Sequence, residues 1–187
     1  MRHLLLTILA LALLAGTAAA QVTNGTFDSG LTGWATAATL NGSVAWDTFG
    51  FPANAARLGA TNPPLGLPTG SASIAQSFGC GGSFDEGSCV VSLDYAVASS
   101  FGAVIRVEVK LDNNVVWSSD HSSNWSGVIP VSFTAPCGLH NLEVSATYQS
   151  GGFHDGWRCW VDNVTAECVP TVAAETEAWG AVKAGYR

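Results

Sequence analysis

Several tryptophans in this chain stand beside short polar stretches. Trp117 and Trp125 flank the segment 118–124, which is rich in serine and contains an Asp, a His and an Asn. An aromatic face next to hydrogen-bonding side chains is a combination that ligand-binding sites use, and loops are the usual place for it. The alternative for each ring is packing in the core or at its edge. The predicted binding residues are Trp125, Trp157, Trp46, Trp117 and Asp155, with Trp125 and Trp157 foremost because they stand among turn residues.

Catalytic side chains have little support in the sequence. Asp85 and Glu86 are adjacent, and neighbours on a strand point to opposite faces, so they do not form a working pair. His154 and Asp155 are two parts of a possible triad, but no Gly-x-Ser-x-Gly motif accompanies them. We therefore predict a protein that is not an enzyme.

The five cysteines all lie downstream of the N-terminal apolar segment. A disulfide requires Cα atoms within about 7 Å. Cys80 and Cys89 flank a glycine-rich loop that can close, and Cys137 would face Cys168 if the last two strands formed a hairpin. Cys159 is then left over, either buried or paired with another chain. The predicted disulfides join Cys80 to Cys89 and Cys137 to Cys168.

The first 20 residues have the pattern of a secretory signal. Arg2 precedes an apolar stretch from Leu4 to Ala15, and three alanines at 18–20 provide the cleavage site. The stretch is shorter than the roughly 20 residues that a transmembrane helix needs. The chain has a net charge of −7 and no basic patch, so nucleic acid is not an expected partner. We expect a secreted or cell-surface protein without a transmembrane segment after signal cleavage.

Alternation of apolar and polar residues predicts an all-β protein. A two-residue period with one polar face is typical of an antiparallel sheet that is wet on one side. Asp112-Asn113-Asn114 lies between two such runs and predicts a hairpin turn. Many short strands separated by turns favour a sandwich or jelly roll. Strands are expected at about 22–28, 34–40, 43–49, 56–59, 72–78, 91–97, 105–111, 126–134, 142–148 and 159–167.

The chain divides into a signal (1–20), a β-sandwich domain (21–169) and a linker with a C-terminal tail (170–187). In the tail, Trp179, Val182 and Tyr186 fall at helical spacing, which predicts a short amphipathic helix. This helix is either a signal that a surface-sorting partner recognises, or a terminus that packs on the sandwich or frays.

The opening segment Asn24-Gly25-Thr26-Phe27-Asp28, followed by Gly33-Trp34, resembles the start of bacterial carbohydrate-binding modules of the family four, nine and twenty-two type. The segment Trp160-Val161-Asp162-Asn163-Val164 is similar to their closing strand, and 71–78 is similar to an intermediate one. The resemblance spans about residues 22–168. It implies a galactose-binding-domain-like jelly roll whose first and last strands lie side by side, with Phe27 close to Val161.

The resemblance also implies a structural calcium ion that joins the N-terminal segment to the last strand. The matching positions are Thr26, Asp28 and Asp162. Calcium takes oxygen ligands, and a carboxylate on an apolar strand needs a partner because burying it alone is costly. The alternative is that Asp162 accepts backbone hydrogen bonds and binds no ion.

A polysaccharide or glycan is the ligand that the resemblance implies, stacked on the tryptophans named above. Our first hypothesis is a non-catalytic, exported carbohydrate-binding-like module displayed at the cell surface. The alternative is an extracellular structural or adhesion protein that uses the same fold without binding sugar.

Overall fold

The computed structural model describes residues 22–48, 54–60, 69–79, 87–152 and 156–170. The predicted signal at 1–20 and the predicted helical tail lie outside them. No helix long and apolar enough to cross a membrane occurs in the described ranges. The strands found there are β1 (Ala35–Leu40), β2 (Gly42–Asp47), β3 (Ala55–Ala60), β4 (Gly70–Gly79), β5 (Gly87–Ser99), β6 (Val104–Leu111), β7 (Asn114–His121), β8 (Ile129–Pro136), β9 (Leu139–Ser150) and β10 (Trp157–Pro170).

The strands form two five-stranded antiparallel sheets. Sheet A has the order β1-β4-β9-β6-β7, and sheet B has the order β2-β3-β10-β5-β8. The inward side chains of both sheets build one apolar core, in which Val91 and Leu93 of β5 and Val107 and Val109 of β6 are buried. The predicted all-β sandwich is therefore confirmed.

The alternation in the sequence shows which side chains of a strand point into the core. In β6, the buried Ile105, Val107 and Val109 alternate with more exposed residues. The turn after β6 has Asp112 and Asn113 at φ values of 51° and 66°, which Asn and Asp tolerate better than most residues. The predicted hairpin is thus confirmed.

The predicted first strand at 22–28 is wrong. Residues 23–26 and 28–33 form successive turns, and Asn24 and Phe27 have φ values of 52° and 53°, which are incompatible with extended pairing. The segment nevertheless reaches the last strand, since the Val164 amide donates to the Gly25 carbonyl at 3.0 Å. A Cβ on Gly25 would lie 1.9 Å from the Val164 oxygen, so this contact requires glycine.

The predicted Cys137–Cys168 disulfide is wrong. The last two strands belong to different sheets and so form no hairpin, and Cys137 carries no disulfide. Cys159 is also a thiol. It is fully buried, and burial raises its pKa, so in the folded protein it cannot pair with another chain. Cys89 is disulfide-bonded to a partner outside the described side chains, and its pairing with Cys80 stays a prediction.

Candidate functional site

The outer face of sheet B carries an aromatic and charged surface. Cys159 and Val161 of the central strand β10 point into the core, so Arg158, Trp160 and Asp162 point to the opposite side. The strand register sets the neighbours of these residues on β3 and β5. One row of the face holds Arg57, Trp160 and Ala96, and the next holds Gly59, Arg158 and Ala98.

Trp160 is the fixed centre of this face. Its indole is 7% exposed and packs with Ala55, Ala96 and Ala98. Small side chains leave room for a large ring to lie on the sheet. Its Nε1 donates to Asp47 Oδ2 at 3.2 Å, and the same oxygen accepts from Arg57 Nη1 at 3.3 Å. The ring is therefore held by both packing and a hydrogen bond.

Trp125 leans on Trp160 from the loop between β7 and β8. The rings meet edge to face, with centroids 5.7 Å apart and planes at 61°. The loop is tied to β5, because the Ser126 amide donates to the Val97 carbonyl at 2.9 Å and the Ser99 amide donates to the Ser123 carbonyl at 3.2 Å. Trp125 thus lies level with Ala98. Its side chain is 51% exposed, which leaves part of the ring accessible to a ligand.

These residues define a surface that we call the tryptophan face. Its aromatic members supply an accessible and rigidly supported ring, and its polar members supply donors and acceptors at the edge. Such an arrangement can stack against a flat apolar surface and hydrogen-bond to its periphery. The tryptophan face comprises Asp47, Arg57, Ala96, Ala98, Trp125, Arg158 and Trp160.

Asp162 lies next to the tryptophan face and is unusual in its burial. Only 1% of the residue is exposed. Its Oδ1 accepts from the Asn163 amide at 2.7 Å, whereas its Oδ2 is buried without a hydrogen-bond partner. Burial, together with the nearby Asp94 and Asp28 carboxylates, raises the pKa of Asp162 to about 6. A buried carboxylate with an unsatisfied oxygen is a candidate cation ligand.

A distortion of β10 lets Asn163 hydrogen-bond to both Asp162 and Asp94. The register with β5 shifts between Asp162 and Thr165, and Asn163 has a φ of 51°. The Asn163 side-chain amide donates to Asp94 Oδ2 at 3.0 Å. This irregularity turns the backbone amide of Asn163 towards Asp162 and leaves Asp94 close by.

The other two predicted metal ligands lie in the N-terminal turns. Thr26 Oγ1 donates to Asp28 Oδ2 at 2.7 Å, and Asn54 donates to Asp28 Oδ1 at 3.1 Å. Both residues are exposed. Within the part of the chain that the structure describes, no three His, Cys, Asp or Glu side chains group closely enough to hold a metal. A cation near Asp162 would therefore also need hydroxyl or carbonyl oxygens, which calcium accepts.

Trp157 is not part of the site. It is fully buried in the core, because β10 begins at this residue and places it on the inward side with Cys159 and Val161. The prediction that Trp157 binds a ligand is thus wrong. Asp155 lies outside the described residues.

The two remaining tryptophans lie away from the tryptophan face. Trp46 is 43% exposed, sits opposite the core residue Ala56, and donates from Nε1 to the Phe27 carbonyl at 2.9 Å. Trp117 is half-buried and packs edge-on against Tyr95, with centroids 5.1 Å apart. The structure therefore does not bring the predicted binding tryptophans together on one surface.

Sequence reasoning missed Trp160 and Arg158. The alternation of Trp157, Cys159 and Val161 would have placed both on the outward side of the last strand. The alanines at 55, 96 and 98 were a second signal, since small residues on an outer face leave room for a large ring. What the sequence could not supply is the register that brings these strands together.

Comparisons with known proteins place the fold. No family model matches the sequence, and no curated protein matches it. Among solved structures, it matches the K3 and K1 adhesin domains of the Lys-gingipain of Porphyromonas gingivalis W83. The K3 domain has a TM-score of 0.54 and 13% identity over 79% of this chain and 98% of that chain. The corresponding values for K1 are 0.53, 10%, 78% and 96%.

A family 4 carbohydrate-binding module also matches, with a TM-score of 0.40 and 18% identity over 77% of this chain and all of that chain. The chain thus has structural matches among carbohydrate-binding modules, as the sequence resemblance predicted. At these identities, the likeness shows the fold alone. The described part of the chain is a β-sandwich, a fold that it shares with the two adhesin domains.

Proposed function

We propose that this protein is an exported, non-catalytic module that binds a glycan on the tryptophan face. The observation that carries the proposal is the half-exposed ring of Trp125, held edge-on by the buried Trp160. A sugar ring presents a face of C–H groups that packs well on an aromatic ring. Its hydroxyl groups then remain for hydrogen bonds at the edge of the contact.

The tryptophan face suits this role because little of it must be ordered on binding. Trp160 is fixed by Asp47, and the loop that carries Trp125 is hydrogen-bonded to β5 on both sides of Ala98. A preformed site spares the entropy of ordering side chains when the ligand binds. Arg57 and Arg158 lie beside the rings and provide donors for sugar oxygens.

The test is binding to a panel of immobilised soluble polysaccharides, with Trp125→Ala as the decisive variant. Loss of the accessible ring should weaken binding by about tenfold or more, as for an aromatic residue at the centre of an interface. Trp46→Ala is the matched control, because Trp46 is similarly exposed but lies elsewhere, and it should bind normally. Undiminished binding by Trp125→Ala, or no binding by the unmodified protein, would overturn the proposal.

A structural calcium ion is the second part of the proposal. Asp162 would hold the ion through its unpartnered Oδ2, and Thr26 and Asp28 would add oxygens from the N-terminal turns. When bound, calcium would neutralise carboxylates that otherwise repel one another across the junction of the chain ends. The thermal midpoint should then fall when EDTA replaces calcium. Asp162→Asn should abolish that difference, and an unchanged midpoint in the unmodified protein would remove the ion from the proposal.

Adhesion between copies of the chain is the competing function, and the edge strand β1 favours it. All six β1 residues are exposed and none is charged. In the described residues, β1 pairs only with β4. Edge strands without charges, prolines or bulges tend to pair with other chains. Sedimentation should then show dimers that Ala37→Lys disrupts, whereas a monomer at high protein concentration would exclude this route.

A further inference from the structure

We propose that the glycan bound by the tryptophan face carries a negatively charged group, and that Arg158 pairs with it. This inference rests on the proposed glycan-binding function and narrows its ligand to acidic sugars. It comes from the position of one guanidinium group and from the partners of the other cationic side chains.

Arg158 lies on the same face as the accessible tryptophan. It is paired with Ala98 across β5 and β10, and Ser123 and Ser126 hold the Trp125 loop to Ser99 and Val97, on either side of Ala98. Adjacent strands lie about 4.8 Å apart. Trp160, whose ring contacts that of Trp125, lies two residues from Arg158 and on the same face of β10. The guanidinium and the accessible ring therefore belong to one patch of the tryptophan face.

Arg158 is exposed and lacks a partner. Among the residues that the structure describes, it is the cationic side chain for which no ion pair is found. Arg106 pairs with Asp120 at 2.8 Å, and the two remaining cations are paired as well. Lys110 contacts Glu108 at 3.5 Å and Glu143 at 3.2 Å, and Arg57 contacts Asp47 at 3.3 Å.

The missing partner is notable because acidic residues outnumber basic ones by 14 to 7 in this chain. The strand register of sheet B explains why no described carboxylate lies beside Arg158. Asp162 is four residues away along β10, or about 13 Å for an extended strand, and Asp94 lies opposite Asp162. Asp47 is already bound to Arg57 and Trp160. Within the described ranges, these three carboxylates of the face thus lie in the row of Asp162, at the far end from Arg158.

The chemistry of the guanidinium indicates the ligand class. Its planar array of donors matches the two oxygens of a carboxylate or a sulfate, and such charge-assisted hydrogen bonds are stronger than those to neutral hydroxyls. A sugar ring stacked on Trp125 would lie on the same face as Arg158, and a charged substituent of that sugar or of the next one would pair with the guanidinium. A uronic acid carboxylate and a sugar sulfate share this chemistry.

The test compares polysaccharides that differ only in charge. Polygalacturonate is set against its methyl ester for carboxylates, and dextran sulfate against dextran for sulfates, with isothermal titration calorimetry as the measurement. We expect at least one charged member to bind about tenfold or more tightly than its neutral counterpart. Arg158→Gln should remove that preference. Arg106→Gln removes the same charge from the outer face of sheet A and should keep it.

The outcomes separate this inference from the function on which it rests. Equal binding of charged and neutral members, or a preference that survives Arg158→Gln, overturns the role of Arg158. If a neutral glycan still binds and Trp125→Ala abolishes that binding, the proposed function stands while the inference fails. If no polysaccharide binds, both fail. A circular dichroism spectrum that matches the unmodified protein shows that each variant is folded.

Discussion

The outer faces of the two sheets have the same architecture and opposite chemistry. Each has a central strand, β9 in sheet A and β10 in sheet B. On β9 the outward Ser145 lies between Ser73 and Glu108, and on β10 the outward Trp160 lies between Arg57 and Ala96. Both central residues are 7% exposed. The two residues are thus equally buried at equivalent positions, although the side chains around them differ in chemistry.

The difference lies in what the neighbouring side chains do. On sheet A, long charged side chains pair with one another, as Lys110 does with Glu108 and Glu143, which leaves the face polar and satisfied. On sheet B, small residues make room for a ring, and Arg158 has no ion-pair partner among the residues that the structure describes. Polar groups that are already paired with one another are not available to bind a ligand. This difference is why we propose that the ligand binds to the outer face of sheet B.

The largest expected effect comes from truncating the two central residues. Trp160→Ala should lower the free energy of unfolding by about 3 kcal/mol, since it removes a buried ring and leaves a cavity. Ser145→Ala should change it by less than about 1 kcal/mol. Urea denaturation measures both. Equal losses would mean that the two faces do not differ in how they are stabilised.

The next effect tests the buried carboxylate beside the tryptophan face. The folded pKa of Asp162, about 6, lies above the ordinary value of 3.8, so this group's contribution to stability is present below pH 4 and is lost as the pH rises through 6. In EDTA at pH 7.5, Asp162→Asn should therefore raise the free energy of unfolding by about 2 kcal/mol. Asp120→Asn on sheet A is the control. A destabilised Asp162→Asn protein would show that the carboxylate has a partner after all.

A smaller effect separates the ion pairs of the two faces. Asp47 accepts from both Arg57 and Trp160 and its side chain is 17% exposed, so Asp47→Asn should cost about 1–2 kcal/mol. Asp120 pairs with Arg106 in solvent, where screening leaves little net stabilisation. We expect no measurable shift in the urea midpoint for Asp120→Asn. If the two substitutions have the same cost, Asp47 does not anchor Trp160.

The smallest effect concerns a buried ionisable group of sheet A that, unlike Asp162, is fully satisfied. The His140 ring nitrogens lie 2.7 Å from Asp112 Oδ2 and 2.7 Å from the Pro136 carbonyl. Burial lowers the pKa of His140, but these acceptors outweigh it and raise the pKa above 6.5. Its contribution to stability is therefore present below pH 6.5 and lost as the pH rises through the folded pKa.

His140→Gln should reduce the slope of thermal midpoint against pH between 6 and 9, without changing the response to calcium. The midpoints of the unmodified protein, measured in EDTA to silence any ion at Asp162, provide the reference. A slope that is the same in both proteins would show that His140 keeps its ordinary pKa.

Most of the sandwich could be predicted from the sequence because it follows from a local pattern. The runs 91–97, 105–111 and 142–148 each lie within an observed strand, since their two-residue period determines which side faces the core. The prediction failed at 22–28, where Asn24 and Phe27 adopt positive φ. Phe27 is fully buried, so its apolar character was informative, although it did not indicate a strand.

The site was harder to predict because it depends on contacts between distant segments. Trp125 was identified from its polar neighbours in the sequence. Trp160 supports it from a strand 35 residues later, and nothing local indicates that the two rings meet. Trp157 misled the prediction because its neighbours in the sequence are loop residues, whereas its place in the fold is the core.

The position of β10 has a consequence for how the molecule is made. This strand is the last in the described chain, yet it is the middle of sheet B, between β3 and β5. β10 leaves the ribosome only after its neighbours β3 and β5 have done so. Until then, the edges of β3 and β5 that pair with β10 remain unpaired. Sheet B can complete its strand pairing only when synthesis has passed residue 170. A nascent chain stalled earlier would expose two unpaired strand edges, with which other proteins could associate.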